Sequence, residues 1–162
     1  MNNKLIRPSN QYDIGYLAVH MRQADQEECR AGGLTPLRAL SDSYEMSTIR
    51  YTLIDPKKNE PGAMLGVCPG AYEGMGLIWL LGSPSIENNS LTFLRSSKLV
   101  LQQLFEESEY DVLYNYTYIN NKLHHKWLQW LGFSFLREVP YGPTGHTFIE
   151  FVKLRGEPCV PQ

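Results

Sequence analysis

Residues 111–133 read DVLYNYTYINNKLHHKWLQWLGF, and this run decides the fold. Its first part has the period of a strand, with Tyr114, Tyr116 and Tyr118 two residues apart. Its second part changes period. Leu123, Trp127, Trp130 and Leu131 fall on one helical face. Gly132 ends that helix, because glycine adopts a left-handed φ at little cost, and Phe133 starts a new apolar segment. Asn120 and Asn121 sit at the change of period, where Asn is a preferred helix cap.

The flanking sequence extends the pattern both ways. Upstream, residues 76–81 (Gly-Leu-Ile-Trp-Leu-Leu) are apolar on both faces, which suits a central strand covered by helices on each side. Gly82-Ser83-Pro84 breaks it. Asn88, Asn89 and Ser90 then cap a helix running from Leu91 to about Glu107, with Leu91, Leu94, Leu101, Leu104 and Phe105 as its apolar stripe. Before the central strand lie two β-rich runs, 48–54 and 63–68, and a glycine-containing hairpin turn at 69–76.

At the N-terminal end, residues 4–7 read as a short strand closed by Pro8. Ser9 and Asn10 cap a helix whose face is Ile14, Leu17, Ala18 and Met21. The polar stretch 23–30 continues it as a solvated helix that stops at Gly32-Gly33, and Pro36 opens the next. Downstream, 133–139 and 147–154 are the last two strands. The order is β-α-α-β-β-β-α-β-α-β-β.

Length and charge narrow the function classes. The 162 residues make one domain, 1–162, long enough to fold without a disulfide or metal staple. Fifteen Lys and Arg against seventeen Asp and Glu give a net charge of −2, against a dedicated nucleic-acid binder or a polybasic membrane surface. No apolar run reaches the roughly 18 residues that a spanning helix needs. Cys29, Cys68 and Cys159 are widely spaced and odd in number, which reads as reduced thiols. No metal site is expected: His124 and His125 are adjacent, point about 100° apart on a helix, and read as surface residues.

The element order, together with Asn121 ahead of Leu128-Gln129-Trp130-Leu131-Gly132-Phe133, resembles the GNAT superfamily of N-acyltransferases. The resemblance implies an α+β fold in α/β/α layers, a mixed, splayed sheet of about seven strands flanked by about four helices. A narrower resemblance, to the small GNAT-like internal virion protein family of short-tailed phages, rests on two patches. One is Leu113-Tyr114-Asn115-Tyr116 through Gly132; the other is His20 through Gly33. Those proteins are associated with virion assembly and genome ejection.

The wider family cradles the pyrophosphate of acetyl-CoA on a Gln/Arg-x-x-Gly-x-Gly/Ala loop after the central strand. Here the corresponding stretch, 82–90, has no Gly-x-Gly and no basic residue, and it carries Glu87. The Asn89 and Ser90 amides are the substitutes for that cradle, since helix N-termini bind anions generically. Asn121 is a cofactor contact by resemblance and a helix cap by residue type. The family's proton-donating Tyr, four residues before the Gly of Gly-Phe, is Leu128 here. Tyr116 and Tyr118 are the nearest replacements, although alternating tyrosines also simply cover a sheet face. Glu73 is the nearest carboxylate to the central strand for a base, and otherwise a solvated turn residue. A V-shaped gap between the splayed fourth and fifth strands, open and lined by free N–H groups, would favour catalysis, and one plugged by side chains such as Trp79 would end it.

Two functions follow from these resemblances. The first is a virion-associated or assembly/ejection accessory protein with a degenerate acetyl-CoA site. Its partners are other phage virion or core proteins, in the host cytoplasm during infection and in the particle. The second is an active N-acetyltransferase that moves an acetyl group from acetyl-CoA to an amine.

Overall fold

The computed structural model describes residues 4–159. Strand β1 (Ile6–Pro8) leads into helices α1 (Gln11–His20), α2 (Gln23–Ala31) and α3 (Pro36–Met46). Strands β2 (Ile49–Ile54), β3 (Pro61–Pro69) and β4 (Met75–Gly82) follow. Then come a single turn, α4 (Ser85–Asn88), the long α5 (Ser90–Glu107), β5 (Val112–Tyr118), α6 (Lys122–Trp130), β6 (Ser134–Tyr141) and β7 (His146–Leu154). The strands form one seven-stranded sheet in the order β1-β2-β3-β4-β5-β7-β6. Every neighbouring pair is antiparallel except β4–β5.

The helices cover both faces. On one, α5 and α6 bury Phe93, Val100, Leu104, Trp127 and Leu128 against Leu65, Val67 and Leu113. On the other, α1–α3 bury Leu17, Met21, Cys29 and Leu40 against Met64, Cys68 and Trp79. The layered, mixed sheet of seven strands is the one expected. Among the described residues the helices number six rather than about four, for two local reasons.

First, residues 11–30 do not form one helix. Asn10 starts α1 through a capping box with Asp13. The chain then turns extended at Met21 and Arg22 (φ −61°, ψ 148°), and the Arg22 N–H donates to Gly82 O at 2.9 Å. The stretch 23–30 is solvated on one side only: Gln23, Glu27 and Arg30 are exposed, while Asp25 and Cys29, with Arg22 just ahead of them, are buried. Second, Asn88 and Asn89 do not cap α5 with their side chains, because helical turning begins earlier, at Ser85. Gly132, by contrast, has the left-handed φ of 84° that its place at the end of α6 requires.

The feature that positions everything else is the end of the β4–β5 ladder. Pairing holds at Met75↔Val112, Gly76↔Leu113 and Leu77↔Tyr114, then stops. In a continued parallel ladder the next rung would run from the Tyr116 N–H to the Ile78 carbonyl. The Asn115 carboxamide stands between them instead. Its Nδ2 donates to Ile78 O at 2.7 Å, and its Oδ1 accepts from the Tyr116 N–H at 2.8 Å. One side chain thus satisfies both backbone groups while holding them apart, and the strands diverge beyond it.

Candidate functional site

The divergence leaves a V-shaped opening between Ile78–Gly82 and Asn115–Tyr118. A cavity of about 220 Å³ lies there, lined among others by Leu80, Asn115, Tyr116, Glu28 and His124. By strand alternation, residues 78, 80 and 82 on β4 and 114, 116 and 118 on β5 turn their backbone groups toward this opening.

Helix α2 lies across its mouth and supplies partners that the strands no longer give each other. Asp25 Oδ2 accepts from the Gly82 N–H at 2.9 Å. One helical turn on, Glu28 accepts from the Tyr118 N–H. The Tyr118 carbonyl accepts from the Asn121 N–H at 2.9 Å and lies 2.9 Å from His125 Nε2. Side chains then bridge helix to helix. Arg22, 2% exposed, donates to Asp25 Oδ1 at 2.7 Å and to Asn121 Oδ1 at 3.2 Å. Asn121 Nδ2 donates to Glu28 Oε2 at 2.6 Å and to Asp25 Oδ1 at 3.2 Å. Thr117 Oγ1 lies 3.4 Å from Glu28 Oε2 and 3.3 Å from His124 Nδ1.

Two carboxylates and one guanidinium therefore share a buried polar plug. Burial pushes the Glu28 carboxyl up, but His124, the Asn121 amide and the Tyr118 N–H outweigh it and hold it below the ordinary 4.5. Such a plug survives burial only when its groups pair with one another, and here they do.

The expected site residues land in different places. Tyr116 lines the opening and stacks on Tyr141 at 5.3 Å; burial and then Glu150 raise its hydroxyl pKa, so it stays protonated. Tyr118 packs on Phe148 at 5.4 Å. Glu73 is exposed in the β3–β4 turn, at the paired end of the V. The length of β4, roughly 25 Å at strand rise, separates that turn from the mouth. Asn89 turns back to Ser85 O at 3.2 Å. Ser90 lines a separate groove on the α5–α6 face. Asn121, 2% exposed, makes no side-chain cap and joins the plug. Trp79 lines the cavity from the α3 side, with its Nε1 donating to Ser47 Oγ at 2.8 Å, and the opening beside it keeps about 220 Å³. His124 and His125 are each 8% exposed, not surface residues: the first faces the plug and the second caps the Tyr118 carbonyl.

Residue-type reasoning passed over Arg22, Asp25, Glu28 and Thr117, and it read His124 as a surface residue. One signal was present. Arg22, Asp25 and Cys29 follow helical spacing, so the side of α2 that buries Cys29 carries the charges inward with it.

No family model matches the chain, and no curated protein matches it. Solved structures do. A GNAT-family acetyltransferase from Bacillus anthracis superposes with a TM-score of 0.71 and 12% identity, over 94% of this chain and 95% of that one. The aminoglycoside acetyltransferase AAC(6')-Ib, in complex with ribostamycin and coenzyme A, gives 0.67 and 18%, over 93% and 92%. The ribosomal-protein-S5-alanine acetyltransferase of Vibrio fischeri gives 0.64 and 12%, over 96% and 94%.

The chain has the GNAT fold.

The GNAT fold implies an acyl-CoA, and the residues present can be tested against it. Four N–H groups of the turn after β4 are already taken. The Ile86 N–H donates to Ser83 O (3.1 Å), those of Glu87 and Asn88 to Pro84 O (3.0 and 3.2 Å), and that of Asn89 to Ser85 O (3.0 Å). Helix α4 thus closes on itself at the position that the resemblance gives to a phosphate cradle. The neighbouring charges are unfavourable too. Glu87 is half exposed, Asp55 accepts from the Ser85 hydroxyl, and Arg22 is engaged with Asp25 and Glu87. A doubly charged pyrophosphate finds no unpaired cation in this turn, and among the described residues the N–H groups left without an acceptor are those of Ser90, Leu91 and Thr92 at the start of α5, next to Glu87, so these residues fit it poorly.

Proposed function

We propose that this is a GNAT-fold protein in which an ionic plug has replaced the acyl-CoA site. It serves as a virion-associated or assembly/ejection accessory protein of a short-tailed phage. The observation that supports the loss of the coenzyme site is the turn after β4, where α4 takes up four N–H groups internally and Glu87 places a negative charge beside the start of α5.

The virion role rests on the narrower resemblance, and one structural fact supports it. The two patches of that resemblance, 20–33 and 113–132, are the segments whose side chains meet in the plug. Arg22, Asp25 and Glu28 come from the first, and Thr117, Asn121 and His124 from the second. A likeness confined to two distant stretches is what a shared buried polar network would leave.

The competing function, acetyl transfer from acetyl-CoA to an amine, draws on the strand edge at Leu80 and on the protonated Tyr116 beside it. Calorimetry with acetyl-CoA separates the two. Absence of binding at millimolar coenzyme is expected, and micromolar binding would overturn the proposal. In infected cells the chain is expected in particles or assembly intermediates, bound to core components. Its absence from both would count against the virion role.

A further inference from the structure

A hollow of about 280 Å³ lies where the end of α1, the β2–β3 turn and the β4–α4 turn meet. It shares no lining residue with the V-shaped opening, with the plug or with the α5–α6 groove. Two side-chain bonds brace its walls. The Tyr16 hydroxyl donates to Glu60 Oε2 at 2.5 Å, joining α1 to the β2–β3 turn. That bond above all pushes the Tyr16 hydroxyl up to about 12, so it stays a donor. The Ser85 hydroxyl donates to Asp55 Oδ2, joining the same turn to α4.

The groups left over are few. Asp55 is satisfied, since its second oxygen accepts from the Lys57 and Lys58 N–H groups at 2.8 and 3.1 Å. Glu60 keeps Oε1 without a partner among the described residues. His20 stacks on Tyr16, with ring centroids 4.2 Å apart and 21° between the planes. Its Nδ1 lies 2.8 Å from the Tyr16 carbonyl, which can only accept, so the neutral ring keeps Nε2 as a free acceptor. Lys58 lines the same hollow, yet among the described residues no carboxylate, Glu60 included, lies within ion-pair distance of it. Val19, 78% exposed, adds an apolar wall.

Two carboxylates against one ammonium favour a ligand with a positive end. A flat aromatic pair beside a free carboxylate oxygen suits a planar cation that stacks and donates at once, which is a guanidinium. The unpaired Lys58 calls for an anionic group on the same ligand. We propose that this hollow binds a guanidinium-bearing α-amino acid. The guanidinium lies against Tyr16 and His20 and donates to Glu60 Oε1. The stem crosses Val19, and the carboxylate meets Lys58. The volume, at the low end for ligand pockets, suits a molecule of that size.

L-Arginine is the probe, titrated into the whole protein by calorimetry, and one saturable site is expected. Butylguanidine lacks the carboxylate and L-leucine lacks the guanidinium. Each should bind at least about tenfold more weakly, having lost a charge-assisted contact. Glu60→Gln keeps an acceptor for Tyr16 but removes the charge, and should weaken arginine at least about tenfold. Glu109→Gln makes the same change in net charge at an exposed position outside the hollow and should not weaken it. Val19→Trp, also at an exposed position, should block the site. Lys58→Met should abolish the advantage of arginine over butylguanidine. No saturable binding would overturn the proposal, as would leucine binding as well as arginine. Binding that survives Glu60→Gln or Val19→Trp, or an advantage that survives Lys58→Met, would also overturn it. Acetyl-CoA should not compete with arginine; competition would assign the hollow to the coenzyme and end the proposal. Failure with arginine alone leaves the acetyl-CoA calorimetry untouched, so the two readings fail separately.

Discussion

At the scale of a single residue, Asn115 decides the geometry of the sheet. An amide has both a donor and an acceptor, so one side chain replaces a lost backbone rung without leaving either strand unsatisfied. No apolar residue of similar size does this. Asn115→Leu should strand the Ile78 carbonyl and the Tyr116 N–H, at about 1–3 kcal/mol. Urea denaturation would read that loss, and hydrogen exchange should show the Tyr116 amide opening faster than in the parent protein. An unchanged midpoint would mean that the two strands simply close up and pair. Tyrosines at 114, 116 and 118 announce the strand in the sequence. That the asparagine among them is a wedge is not legible there, because its two partners come from β4 and from its own backbone.

At the scale of an element, α2 shows how a short polar helix is held in place. It buries little apolar surface beyond Cys29 and Ala31, and its position depends on Arg22, Asp25 and Glu28 reaching across to β4, β5 and α6. Removing one partner of a buried ion pair is more damaging than replacing the pair, since the survivor is left uncompensated. Arg22→Met should therefore cost about 3–5 kcal/mol by leaving Asp25 unpaired. The double variant Arg22→Met with Asp25→Leu should recover part of it in the same denaturation assay. Equal losses in the single and double variants would show that the pair contributes nothing beyond packing.

At the scale of the whole molecule, the buried titratable groups set an acid limit. Burial lowers the His125 pKa below the ordinary 6.5, so the unfolded chain takes up that proton first, and stability falls as pH drops below that value. Asp13 and Glu28 act lower on the scale. Burial raises each, but Arg7 with the Asn10 N–H and Thr52 for Asp13, and His124 with Asn121 for Glu28, hold them below 3.8 and 4.5. Their contribution is complete above the ordinary carboxylate range and is lost as pH falls through the depressed folded values. Thermal melts from pH 8 to pH 2 should therefore decline in two stages, and His125→Gln should remove the first. A single-stage profile in the parent would refute this assignment. Local periodicity determined the strands, most helix ends and the central apolar strand, because burial pattern and glycine stops are properties of neighbouring residues; the layered architecture came from the resemblance of their order to the GNAT superfamily. The departure of 82–90 from the family's loop was equally local, written there as missing glycines and a carboxylate. Only the tertiary structure decided that a polar stretch at 23–30 would turn inward. The polar groups it satisfies, Gly82, Tyr118 and Asn121, lie more than fifty residues away, and charges are worth burying only where such partners converge.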